Sequence, residues 1–120
     1  MEKTSSGLQE NIAGLLCYFF GFIAGVIFLV IEKDNKTVRF HALQSILLEV
    51  AACVLWIAIL ILTLILGAIS GALAFIGIIL YATLGIGFFI VWILLLIRTY
   101  QGTLWKLPVI GNMAAKWAGI

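Results

Sequence analysis

Charge is what this chain has least of: 10% of its 120 residues are Asp, Glu, Lys or Arg, against about 25% in soluble domains. Together with 65% hydrophobic residues and a mean hydropathy of +1.28, that scarcity excludes an ordinary soluble fold and predicts an all-α integral membrane protein. Length excludes a second component. Each helical crossing takes about 20 apolar residues, so three crossings nearly exhaust the chain and leave a single membrane domain over residues 1–120 with no soluble catalytic domain.

Reactive residues are equally sparse. One histidine, His41, and two cysteines, Cys17 and Cys53, both inside apolar runs, give no CxxC or Cys/His spacing, so no metal site, cofactor or disulfide framework is signalled. No carboxylate pair shares a helical face, so an enzyme is not expected. A net charge of +2 is too small to point to nucleic acid. The opening MEKTSSGLQEN reads neither as a cleaved signal peptide nor as an Arg- and Ser-rich transit leader, and a prokaryotic cell membrane is the expected location.

What remains is a pattern of apolar runs around one polar island, Glu32 to Glu49. Ser5 or Ser6 is expected to cap the first helix, with Gln9 or Glu10 reaching back. From Ile12 to Ile31 no residue is charged, which predicts a first transmembrane helix over about 12–31, roughly 30 Å long. Gly21 and Gly25 form a GxxxG pair inside it, suited to close helix packing within the chain or to dimerisation. The turn formers Asp34, Asn35 and Lys36 reverse the chain. Further runs predict transmembrane helices over about 46–66 and 73–97, separated by Gly67, Ser70 and Gly71.

After Arg98 the texture changes. Lys106 and Lys116 alternate with Trp105, Met113 and Trp117, the mixture that favours headgroup depth. Pro108 suits a first helical turn, and Ile110, Met113 and Trp117 share a face, so an amphipathic interfacial helix is predicted over about 108–118. Three crossings put the first loop and the tail on one side. Three Lys/Arg in the loop and three in the tail against Lys3 opposite predict a multi-pass protein with its N-terminus outside and loop and tail cytoplasmic.

His41, Ser45 and Glu49, at i, i+4 and i+8, stack along one face, with Gln44 beside it. They read as a polar pathway, since ionisable groups within a membrane often mark one, as an interface contact in which Glu49 meets Arg39, Lys36 or a tail residue, or as exposure of Glu49 to the lipid headgroups by snorkelling. Expected partners are the lipid bilayer and either a second copy or a larger membrane protein.

Two motifs, EKDNKTVRFHALQS from Glu32 and YQGTLWKLPVIGNMAAKW from Tyr100, together with LLCYFFGFIAGVIFLVIEKD, resemble a widespread family of small prokaryotic membrane proteins of unknown function. That family is similar to the twenty-kilodalton channel subunit of the Tic translocon of the chloroplast inner envelope. The resemblance implies an all-helical membrane fold and a part in protein or solute passage. It also implies that Arg39, His41, Gln44 and Ser45 open the second helix, while Tyr100, Gln101, Gly102, Leu107, Pro108, Gly111 and Asn112 close the domain. Both motifs are expected at the cytoplasmic face, with Arg39, His41 and Gln44 hydrogen-bonding the 101–112 segment. The other reading is a non-transporting structural or regulatory subunit of a larger membrane protein.

Overall fold

The computed structural model describes residues 4–120 and contains five α-helices among them: α1 (Glu10–Phe19), α2 (Phe22–Ile31), α3 (Lys36–Ile69), α4 (Ala74–Tyr100) and α5 (Ile110–Ala118). These residues divide into two units: one built from residues up to Glu49 and from Trp92 onward, the other from Val50–Val91.

The first unit corrects the expected helix over 12–31. The run is broken after ten residues, because Phe20 ends α1 and Gly21 turns the chain with φ 71° and ψ −149°, a left-handed backbone open to glycine. Each half is about 15 Å long, too short to cross a bilayer of about 30 Å. The halves then pack on each other and their outer ends meet. The backbone amides of Ser5 and Ser6 donate to the two carboxylate oxygens of Glu32 at 2.7 and 2.9 Å, and Asn35 Nδ2 donates to Glu10 Oε2 at 3.1 Å. The chain therefore enters and leaves this hairpin at the same end. The Ser5 or Ser6 capping box is also corrected: Gln9 is the N-cap of α1 and makes no side-chain cap bond, because the serines are committed to Glu32.

Asn35 starts α3 by accepting the Val38 amide at 3.0 Å through Oδ1, as an N-cap does. Small residues let α1, α2 and α3 close on one another: Ala13, Cys17, Ala24, Phe28, Val38 and Ala42 form one buried cluster. A second cluster joins Phe40 to Ala114, Ala115 and Ala118 of α5. On α5, Met113 and Trp117 are exposed, while Gly111 and the alanines pack inward.

Pro108 lies before α5 rather than in its first turn. Val109 has φ 64° and the Ile110 amide donates to Pro108 O at 2.7 Å, a tight γ-turn that costs backbone strain at a β-branched residue. The end of α4 is a Schellman motif: Gly102, at φ 81°, donates to Thr99 O, and Thr103 donates to Arg98 O. That requirement accounts for the glycine of YQG.

The second unit, Val50–Val91, contains no charged residue. Its two helical stretches are joined through a 3₁₀ turn at Gly71–Leu73. Gly77 lies directly against Thr63, Gly67 approaches Ala74, and Trp56 meets Tyr81 and Phe88 edge-on or tilted. Almost every other large side chain is exposed and apolar, among them Val54, Leu64, Ile69, Ile79 and Ile86. Lys36–Ile69 and Gly71–Tyr100 are long and apolar enough to cross a membrane. Among the described residues the structure thus has two such helices, where the sequence predicts three.

Candidate functional site

The polar residues of RFHALQS converge on a hydrogen-bonded lock within the first unit, centred on Gln44. Its side chain is completely buried, and burial of an amide is tolerable only when its groups are paired. Oε1 accepts the Leu107 amide at 3.0 Å, while Nε2 donates to Trp105 O at 3.0 Å and to Tyr18 Oη at 2.7 Å. The backbone amide of Leu107 is only a donor, so it fixes which end of Gln44 is oxygen. Tyr18 Oη and His41 Nδ1 share a hydrogen bond at 2.9 Å. A hydrogen-bonded chain thus runs from the tail through Gln44 and Tyr18 to His41 in α3.

Neighbouring residues tie the other elements. Ser45 Oγ donates to Cys17 O at 2.6 Å, Arg39 Nη1 to Leu29 O at 2.8 Å, and Trp92 Nε1 to Tyr18 O at 2.7 Å. The carbonyls of Cys17 and Tyr18 lie in the last turn of α1, where helix carbonyls lack intrahelical partners. The break at Gly21 is thus satisfied from α3 and α4. Of the three residues expected to grip the 101–112 segment, Gln44 does so, while Arg39 turns to α2 and His41 to Tyr18.

Glu49 makes none of the expected contacts with Arg39, Lys36 or the tail. Its carboxylate rests against Gly21, so any side chain at position 21 would collide with it. Gly25 admits α3 closely: a Cβ there would stand 3.0 Å from Ala42 O. Gly111 is needed for the same reason, since a Cβ would lie 2.6 Å from the Lys106 backbone. Tyr100 O accepts from Asn11 Nδ2 at 2.9 Å. Leu107 is buried, whereas Gln101, Pro108 and Asn112 are exposed.

Glu32 is fully buried at the closed end of the α1–α2 hairpin. Burial alone would push its carboxyl up, but the Ser5 and Ser6 hydrogen bonds outweigh it and hold the group below the usual carboxylate range. Sequence reading missed Tyr18, Glu32 and Asn11 as structural groups. Tyr18 carried a signal, being the lone hydroxyl-bearing side chain in the 12–31 run, where a buried hydroxyl needs a partner.

The family model for the magnetosome magnetite crystal formation protein family matches residues 3–114. A UPF0132 membrane protein of Methanocaldococcus jannaschii is 42% identical over 120 residues, covering 98% of this chain and 96% of the relative. One from Archaeoglobus fulgidus is 34% identical over 112 residues, covering 93% and 98%, and a second from M. jannaschii is 36% identical over 111 residues, covering 92% and 71%. No solved structure matches. These matches give no support to the relation with the Tic channel subunit. The chain belongs to the family of UPF0132 membrane proteins that this magnetite-crystal-formation model describes.

Proposed function

We propose that the chain is a non-conducting membrane protein that acts as a structural or regulatory subunit beside a larger membrane protein. The carrying observation is the state of the RFHALQS side chains. Gln44 has both ends of its amide bonded inside the fold, and Ser45 and Arg39 are bonded to backbone carbonyls. A track for a solute needs polar groups facing the passage, and these face one another. Passage of protein or solute, which the Tic resemblance implies, is the reading this arrangement disfavours. The family's description, magnetite crystal formation, supports a membrane setting and is not carried onto these residues.

In this reading α3 and α4 cross the cell membrane, α1 and α2 form a re-entrant hairpin, and α5 lies at headgroup depth with Met113, Trp117 and Lys116 outward. With two crossings both chain ends fall on one side, so the N-terminus joins the loop and tail there. That replaces the outside N-terminus of the three-span expectation. All seven Lys and Arg then stand on one side with none opposite, which supports a cytoplasmic placement.

The test pairs two measurements on the full chain. Proteoliposomes should show no solute flux above empty vesicles, and photo-crosslinkers at exposed positions of 54, 64 or 79 should capture another membrane protein in native membranes. Flux that His41→Ala abolishes would overturn the reading.

A further inference from the structure

We propose that the first unit holds a binding site for a small monovalent cation in a cavity between the ends of α1, α3 and α4. The cavity has a volume of about 60 Å³ and is lined by Glu10, Asn11, Thr37, His41, Thr99 and Gly102. On that measure a single water needs only about 10–15 Å³, so the space admits an ion with several waters around it.

The lining is rich in oxygen. Asn11 donates through Nδ2 to Tyr100 O, which fixes its amide, and its Oδ1 is buried without a partner. An unpaired buried carbonyl oxygen calls for a donor or a cation. Glu10, Thr37 and Thr99 line the same cavity, Thr99 being 2% exposed. Glu10 receives a hydrogen bond from the neutral Asn35 amide, and among the described residues no Lys or Arg lines the cavity.

Charge and donor type choose the ligand. The amino ends of α1 and α3 bring roughly half a positive charge each. The carboxyl end of α4 and the full charge of Glu10 oppose them, leaving a modest negative balance suited to a single positive charge. His41 Nδ1 is engaged by Tyr18, and the described residues hold no group of three His, Cys, Asp or Glu side chains that could take a transition metal. Oxygen donors with one carboxylate suit sodium, potassium or ammonium. Nothing in this proposal depends on whether the protein conducts or has a partner.

The purified full-length chain in neutral detergent is melted in chloride salts of sodium, potassium, ammonium and N-methyl-D-glucamine at equal ionic strength. At least one small cation should raise the midpoint by about 4 °C or more over the bulky one, with saturation. Glu10→Gln, which keeps an acceptor for Asn35, and the near-isosteric Thr99→Val should each lose that difference while retaining helical content. Identical midpoints of the wild type in all four salts, meaning water only, would overturn the proposal. So would a cation-specific rise retained in either variant.

Discussion

Gln44 is bonded at both ends of its amide, so its removal should cost more than one hydrogen bond. Gln44→Leu leaves the Leu107 amide, Trp105 O and Tyr18 Oη short of a partner, and we expect a loss of about 2 to 4 kcal/mol in reversible denaturation, with Tyr18→Phe near about 1. A leucine variant as stable as the wild type would show the lock to be incidental. Glu32 gives a pH signature. Its carboxyl lies lower in the folded chain than in the unfolded one, so the stability it contributes is present above the ordinary carboxyl pKa of about 4.3 and is lost as pH falls through the lowered value. Glu32→Gln should be less stable by about 1.5 kcal/mol at neutral pH and show a shallower acid limb. Equal acid limbs would remove Glu32 from the account.

At the scale of the element, the decisive feature is the break at Gly21. Gly21→Ala must adopt a strained positive φ and also meet the Glu49 carboxylate; a loss of at least about 1 kcal/mol is expected. Glu49→Ala added to it should recover only the part due to collision. Full recovery, measured as the double-mutant coupling, would mean that the backbone turn is unstrained. This break was not legible in the sequence, because hydropathy counts Phe20 and Gly21 as apolar and GxxxG reads the same in a straight helix. The two long helices were legible from their length alone. The inward role of Gln44 was foreseen, yet its reach to Trp105 O and Leu107 needed the tail's path, set by the Schellman turn at Gly102 and the γ-turn at Val109. On α5, close approach to Phe40 selects small residues, so the large apolar side chains remain outward.

For the whole molecule, charge and apolar surface are separated along the chain. Every Asp, Glu, Lys and Arg lies in the first unit, and the 50–91 hairpin has none, which suits that hairpin to lipid. The central claim is that residues 12–31 enter and return instead of crossing. Its most direct test is labelling of single cysteines at positions 8, 33, 72 and 103, in a chain lacking Cys17 and Cys53, with an impermeant maleimide on intact cells. Positions 8, 33 and 103 should stay unlabelled until the membrane is opened, while 72 labels from outside. Labelling of position 8 from outside, with 33 protected, would contradict the account and restore a full first crossing.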